Sequence, residues 1–172
     1  MQDGCGRTID YLRLSVTDRC NYRCQYCMPE TGVEKRAHAD ILSLEELAEI
    51  AAAAVACGVK KIRLTGGEPL VRRGLVDLCR MLRAIPGVEE LCLTTNGSLL
   101  PKLAAPLRDA GLDRLNISLD TLRVERFAAM TRLGTLRDVL DGIKAAEAAG
   151  FHDLKFDTVL IGGFNDDEIG DF

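Results

Sequence analysis

Several features are missing from this sequence of 172 residues, and each absence excludes a class of function. There is no run approaching the ~20 apolar residues that cross a bilayer, and the opening MQDGCGRTID does not resemble a signal peptide. Basic residues are not in excess, since the net charge is −4, so neither nucleic acid nor a membrane is an expected partner. Repeats, low-complexity tracts and linkers are absent as well. We therefore expect one cytoplasmic domain spanning residues 1–172.

Cysteine, by contrast, is present in an unusual arrangement. The chain has seven cysteines, an odd number, although a chain of this size can bury a core without disulfides. Three of them, Cys20, Cys24 and Cys27, have C-x3-C-x2-C spacing. Zinc could take these thiolates together with His38 in a Cys3His structural site. An iron–sulfur cluster, normally held by four thiolates, would instead keep one iron open to a ligand that is not protein.

Short apolar runs alternate with longer helical patterns along the chain. Five runs of strand length are rich in Leu, Ile, Val and Thr: residues 11–16, 61–65, 90–95, 114–119 and 155–160. Helical patterns separate them, and the first opens with a capping box at Ser43 and Glu46. Strands joined through helices indicate right-handed crossovers and a parallel sheet. The final FNDDEIGDF is expected to begin another helix.

The predicted strands carry polar residues at alternate positions, which is unusual in a parallel sheet. Because side chains alternate in direction along a strand, these residues share one side of the sheet. Either this side faces solvent, or the βα units curl into a barrel that turns it inward. Unpaired cations are costly in a dry core, so the barrel implies a cavity with an anionic ligand. Since a closed eight-stranded barrel needs about 250 residues, we expect an open, partial TIM-like (β/α) barrel from an incomplete chain.

Motifs lie where the predicted strands end. The cysteine trio follows the first strand, LTGGEP ends the second, TTNG the third and NISLD the fourth. Sites on parallel α/β sheets are built at this edge. The adjacent Gly66 and Gly67 let a backbone come close to a ligand, although such a pair is also common in ordinary turns.

CNYRCQYC followed by GGEP resembles the radical S-adenosylmethionine (SAM) superfamily. The arrangement of YLRLSVTDRCNYRCQYCMPE, KIRLTGGEPLVRR, LTTNG, AGLDRLNISLDTL and KFDTVL resembles in particular its GTP 3′,8-cyclase family, lyases of molybdenum cofactor biosynthesis. The resemblance implies a [4Fe–4S] cluster on Cys20, Cys24 and Cys27, with SAM chelating the open iron. Reduction would then yield a 5′-deoxyadenosyl radical, so that the cofactors carry the radical chemistry.

The resemblance also assigns residues to the two small molecules. SAM would be bound by the backbone of Tyr26, by Gly67, which would receive the methionine amino group, and by Ser118. GTP would be bound by four residues of the polar side described above: Arg13, Arg63, Thr94 and Lys155. Cations that reach a triphosphate from several strands are suited to this task. No catalytic side chain is expected beyond the cluster and the SAM site.

The chain departs from the cyclase pattern in two respects. Asp157 stands two residues after Lys155, where the family usually has Asn, and the second cluster and C-terminal tail of the cyclases have no counterpart. Cyclisation by these residues alone is therefore not expected. Two alternatives stay open: another superfamily member with a different substrate, and a non-catalytic Cys3His zinc module. The open sheet edge also predicts association with another chain or a second copy.

Overall fold

The computed structural model describes residues 2–34 and 40–172. Within these ranges it has five strands: β1 (Tyr11–Ser15), β2 (Lys61–Thr65), β3 (Glu90–Thr95), β4 (Arg114–Ser118) and β5 (Lys155–Asp157). The same ranges contain five α-helices: α1 (Leu44–Ala56), α2 (Leu75–Arg83), α3 (Leu100–Asp109), α4 (Val124–Thr131) and α5 (Leu136–Ala148). Short 3₁₀ turns follow β2 and β5, at Pro69–Val71 and Asp166–Glu168.

The strands form one parallel sheet in the order β1-β2-β3-β4-β5. Each strand pairs with its neighbour in the chain, as it does in a barrel of βα units, and β1 and β5 are the edges of the described sheet. The prediction of an open, partial α/β barrel is confirmed. None of the helices in the described residues is long and apolar enough to cross a membrane.

The core lies between the sheet and its helices. Six strand side chains on the helix-facing side are fully buried: Ile62, Leu64, Leu91, Leu93, Leu115 and Ile117. Burial of such a side chain stabilises the fold by about 1.5–3 kcal/mol. The predicted capping box of α1 is present, since the Ser43 hydroxyl accepts the Glu46 N–H and the Glu46 carboxylate accepts the Ser43 N–H.

The other side of the sheet carries the predicted polar residues in register. Arg13 pairs with Arg63, and Arg63 in turn pairs with Cys92 on β3. One step nearer the carboxyl edge, Asn116 pairs with Thr94 on one side and Lys155 on the other. Residues from all five strands therefore share one face.

Four elements differ clearly from the predictions. The helix α4 is not predicted from the sequence, because its eight residues carry only about two turns of the periodic pattern that marks a helix. The predicted C-terminal helix is wrong: only a 3₁₀ turn forms there, and it places Glu168 against the loop after β4. Strands β4 and β5 end earlier than predicted. Beyond the ends of these two strands a side-chain hydrogen bond takes the place of the backbone pairing: the Thr158 hydroxyl donates to the Leu119 carbonyl at 2.7 Å.

Candidate active site at the carboxyl edge of the sheet

We call residues 17–28, which contain Cys20, Cys24 and Cys27, the cysteine loop. The GGEP turn (residues 66–69) holds the start of this loop by backbone contacts. The Gly67 N–H donates to the Thr17 carbonyl at 2.7 Å, and the Glu68 N–H donates to the Arg19 carbonyl at 2.8 Å. A Cβ on Gly67 would lie 2.3 Å from the Arg19 oxygen. The close approach that glycine permits here is thus between two segments of the protein's own backbone, so that β2 positions the loop that follows β1.

Further along, the cysteine loop is tied to β3 and to α4. The Asn96 side-chain amide donates to Asn21 Oδ1 at 2.8 Å. The Arg23 N–H donates to the Thr131 carbonyl and the Gln25 N–H to the Met130 carbonyl, both at the end of α4. The loop is therefore anchored on either side of Cys24.

The three thiols of the loop differ in exposure. Cys20 and Cys24 are half-buried, whereas Cys27 is exposed. The Tyr22 N–H donates to Cys20 Sγ at 3.3 Å. Burial raises the pKa of Cys20, and burial together with the neighbouring Cys20 raises the pKa of Cys24 to about 11. A metal would therefore have to displace protons from these thiols on binding.

The described part of the chain has no three His, Cys, Asp or Glu side chains arranged around a single metal ion. Thiolates that bind different irons of a cluster do not need to meet at one point. The donor set, three thiols on one anchored loop with a backbone N–H directed at a sulfur, fits an iron–sulfur cluster. His38, the fourth ligand of the zinc alternative, lies outside the described residues.

A buried carboxylate that sequence reasoning missed braces this edge. Glu68 is 1% exposed and accepts hydrogen bonds from the Thr95 hydroxyl at 2.7 Å, the Asn96 N–H at 2.7 Å and the Leu70 N–H at 3.0 Å. Burial raises the pKa of Glu68, and these donors oppose that shift. With its oxygens occupied by three donors, Glu68 holds β2 and β3 together instead of exchanging protons with a ligand.

A second carboxylate makes similar contacts between the segment after β5 and the loop after β4. Glu168 is fully buried and accepts the Thr121 hydroxyl and the Leu122 N–H, each at 2.7 Å. The Arg126 guanidinium, also at 2.7 Å, is its third donor. In both arrangements the threonine oxygen accepts the N–H two residues further on, at 3.1 Å. We call Glu68 and Glu168 the two clasp carboxylates.

Replacing either clasp carboxylate with glutamine is expected to destabilise the fold. Glutamine has the same shape, but its amide group puts a donor where the carboxylate accepts one. A buried N–H or O–H then loses its partner, at a cost of about 1–3 kcal/mol. Urea unfolding of Glu68→Gln and Glu168→Gln measures this loss directly.

The control for these variants is Glu49→Gln on the exposed side of α1, where the same chemical change meets solvent. We expect the urea concentration at the midpoint of unfolding to be the same for Glu49→Gln as for the unmodified protein. Midpoints for the two clasp variants that equal the Glu49→Gln value would show that neither carboxylate braces the edge.

Among the residues that the structure describes, two cations on the polar face lack a carboxylate partner. Glu90 pairs with Lys61 at 3.6 Å and with Arg114 at 3.2 Å. Within residues 2–34 and 40–172, neither Arg13 nor Arg63 forms an ion pair, although they face each other in register. Like charges in direct opposition on paired strands are destabilising. An anion between them would remove this cost.

Neighbouring side chains on the polar face contact the Arg63 guanidinium. Its guanidinium lies 5.8 Å from the centre of the Tyr11 ring, and its Nη1 is 3.4 Å from the Thr94 hydroxyl. Its Nε is buried and has no hydrogen-bond partner in the described structure. At the other end of the face, exposed Lys155 lies 3.7 Å from Asp157, which also accepts from Asn116 at 2.8 Å.

The remaining predicted residues also lie at the carboxyl edge. Ser118 is the last residue of β4 and pairs with Asp157. Tyr26 is 49% exposed, and its hydroxyl donates to Asp120 at 2.8 Å. Beside Tyr26 is a cavity of about 260 Å³, lined by Gln25, Tyr26, Met130, Ile161 and Phe164. The structure thus places the cysteines, the glycine pair, Tyr26 and Ser118 at one edge, and the arginines deeper on the polar face.

Comparison with known proteins gives two kinds of similarity. The model of the radical SAM superfamily matches residues 14–172. GTP 3′,8-cyclase of Geobacter sulfurreducens is 62% identical over 170 residues, which are 99% of this chain and 52% of that protein. GTP 3′,8-cyclase of Peptoclostridium acidaminophilum is 60% identical with the same coverage. The chain spans about half the length of the curated relatives it matches.

Among solved structures, the [FeFe]-hydrogenase maturase HydG matches 87% of this chain and 34% of its own, with a TM-score of 0.73 and 17% identity. The structure of anSMEcpe with bound AdoMet matches 86% of this chain and 42% of its own, with a TM-score of 0.65 and 19% identity. At these identities the similarity concerns the fold alone, and it agrees with a partial TIM-like barrel.

Proposed function

The chain belongs to the radical SAM superfamily, and we propose that it forms the SAM-cleaving half of a GTP 3′,8-cyclase, which converts GTP to (8S)-3′,8-cyclo-7,8-dihydroguanosine 5′-triphosphate in molybdenum cofactor biosynthesis. Relatives of that name support this, with 53–62% identity across nearly the whole chain. The observation that carries the proposal is the arginine pair. In the described structure Arg13 and Arg63 face each other without a carboxylate partner, and the buried Nε of Arg63 has no hydrogen-bond acceptor.

Cys20, Cys24 and Cys27 would hold a [4Fe–4S] cluster. When bound, the cluster and SAM supply an organic radical that can remove a ribose hydrogen from GTP. The chain's own contribution is to fix the loop: the backbone bonds to GGEP and α4 hold it at the sheet edge, and the Tyr22 N–H faces a ligand sulfur. Hydrogen bonds to cluster sulfurs are among the means by which a protein tunes such a centre.

SAM would lie along the carboxyl edge, in contact with the Tyr26 backbone, Gly67 and Ser118. The cavity beside Tyr26, which Met130 and Phe164 line, would offer the adenosine portion an apolar surface. Ligand sites of this kind are mostly apolar with a few placed polar groups. This placement keeps SAM at the strand ends and leaves the polar face free for the second substrate.

The GTP triphosphate would occupy the polar face, bound by Arg13, Arg63, Thr94 and Lys155. Guanidinium groups form paired hydrogen bonds with phosphate oxygens. Asp157 lies 3.7 Å from Lys155 and accepts from Asn116, so its charge acts mainly on Lys155. Arg13 and Arg63 therefore remain the main concentration of positive charge on the polar face.

Replacing Arg63 with alanine is expected to weaken GTP binding roughly 10- to 100-fold, because hydrogen bonds to charged groups contribute about 1.5–3 kcal/mol each. The stability of the ligand-free protein should not fall, since the change removes one of two apposed cations. Calorimetric titration with GTP measures the first effect, and thermal unfolding without GTP measures the second.

Lys60→Ala is the matched control, because it removes one positive charge from an exposed pair with Glu89 outside the polar face. An equal loss of GTP affinity in Arg63→Ala and Lys60→Ala would indicate a general effect of charge and contradict a specific binding site. Unmodified protein that forms its cluster but binds no GTP would instead favour a superfamily member with another substrate.

We propose the cytoplasm as the compartment, because all seven cysteines are unpaired and thiols persist in a reducing environment. We also propose that residues 1–172 are one radical SAM core domain, completed in the cyclases by a further region. The edge strand β5 exposes Phe156, and Leu160 beyond it is 55% exposed. Association through this edge stays a prediction.

A further inference from the structure

One buried side chain joins three segments of the site. Asp120 lies just beyond β4 and is 6% exposed. One of its carboxylate oxygens accepts the Tyr26 hydroxyl at 2.8 Å, and the other accepts the Val159 N–H at 2.8 Å. The cysteine loop, the end of β4 and the segment after β5 therefore meet at a single carboxylate.

Asp120 is itself held rigidly. The Asn165 amide donates to the Asp120 carbonyl at 2.6 Å and to the Val159 carbonyl at 2.9 Å. The next residue, Thr121, donates to the clasp carboxylate Glu168. A buried polar network in which each member is satisfied fixes one arrangement of its side chains. The acceptor for Tyr26 is thus set by the fold and does not depend on a ligand.

The cysteine loop needs such an acceptor between its second and third cysteines. Up to Gln25 the loop has backbone bonds to neighbouring elements. Beyond it, the Cys27 and Met28 N–H groups return to the Cys24 carbonyl within the loop, and Arg132 reaches the Met28 carbonyl at 3.3 Å. Tyr26 is 49% exposed, so packing alone does not fix its side chain. Its bond to a carboxylate is of the strong, charge-assisted kind.

We infer that Asp120 is a positioning residue for the SAM site: through the Tyr26 hydroxyl it holds the stretch from Cys24 to Cys27 against the ends of β4 and β5. This inference rests on the proposed function in so far as SAM contacts the Tyr26 backbone. In this role Asp120 would act through Tyr26 and not by contact with SAM or the reacting atoms.

The test compares Tyr26→Phe, which removes only the hydroxyl, with Asp120→Ala and with the double variant. Hydrogen–deuterium exchange of residues 24–28 is measured in iron-free protein, and SAM affinity is measured after anaerobic reconstitution. We expect faster exchange and at least tenfold weaker SAM binding in Tyr26→Phe, as for loss of a charge-assisted hydrogen bond. The double variant should bind SAM no more weakly than Asp120→Ala.

Two further variants distinguish a positioning role of Asp120 from a non-specific loss of structure. Asp120→Asn should restore most of the affinity, because its oxygen can accept the Val159 N–H while its amide donates to Tyr26. Tyr11→Phe is the control, since the Tyr11 ring is similarly exposed at 40% and its hydroxyl has no hydrogen bond in the described residues. It should change neither readout.

The inference is overturned if Tyr26→Phe matches the unmodified protein in both exchange and SAM affinity. It is equally overturned if Asp120→Ala has an effect and Tyr26→Phe has none, because Asp120 would then act through Val159 alone. If the unmodified protein shows no SAM binding at all, the proposed function fails. The exchange measurement on iron-free protein still decides whether Asp120 holds the loop.

Discussion

Protein with Cys20 replaced by alanine is expected to bind almost no cluster iron after anaerobic reconstitution. The site has three thiolates for a centre that normally uses four, so the loss of one leaves too few ligands. The other four cysteines lie outside the cysteine loop: Cys79 and Cys92 are buried, Cys57 is at the end of α1, and Cys5 precedes β1. The substitution also removes the sulfur that accepts the Tyr22 N–H. Iron content and the electron paramagnetic resonance signal of dithionite-reduced protein, with and without SAM, measure the effect.

Cys57→Ala is the control for this experiment. Cys57 is exposed at the end of α1 and contributes only its backbone to the helix cap. We expect this variant to keep its iron and a signal that changes when SAM is added. A Cys20→Ala protein with full iron content would contradict the cluster assignment. Stoichiometric zinc in place of iron in the unmodified protein would favour the Cys3His module.

Gly67→Ala is expected to have the second large effect, on stability and cluster assembly together. The new Cβ would lie 2.3 Å from the Arg19 carbonyl oxygen and 2.9 Å from that of Asp18. Both contacts are with backbone, which cannot move aside as a flexible side chain can. Overpacking of this kind costs about 1–3 kcal/mol, occasionally more. Because the displaced residues immediately precede Cys20, we also expect a lower iron content.

The control substitution is Gly162→Ala, where an added Cβ meets nothing within 4 Å. Urea unfolding and iron content should be unchanged in this variant. If Gly67→Ala unfolds at the same urea concentration as Gly162→Ala and binds the same iron, the contact between GGEP and the cysteine loop does not position the site.

The polar face could be predicted because its signal is local. In a strand, alternate residues share a side whatever the strand's neighbours are, so Arg13 and Arg63 could be assigned to one face from the sequence. The opposition of these two residues is a property of register, which depends on the paired strands together. The sequence therefore predicted a cationic face, and the structure added that two of its cations are adjacent.

The clasp carboxylates could not be predicted, because their partners are distant in the chain. Glu68 bonds to a threonine 27 residues away, and Glu168 to one 47 residues away. A lone glutamate after a strand has no periodic pattern to mark it. The C-terminal helix was predicted wrongly for a related reason: FNDDE carries acidic residues typical of a first helical turn, but tertiary contacts of Glu168 and Asn165 determine its conformation.

The two clasp carboxylates have a mechanical consequence. Glu68 joins the ends of β2 and β3, and Glu168 joins the loop after β4 to the segment after β5, so the carboxyl edge consists of two braced halves. The cysteine loop bonds to the first half through Asn21 and to the second through Tyr26. The loop therefore connects the two halves at the edge, in addition to the pairing of β3 with β4, and a group bound to its thiols would be held from both halves at once.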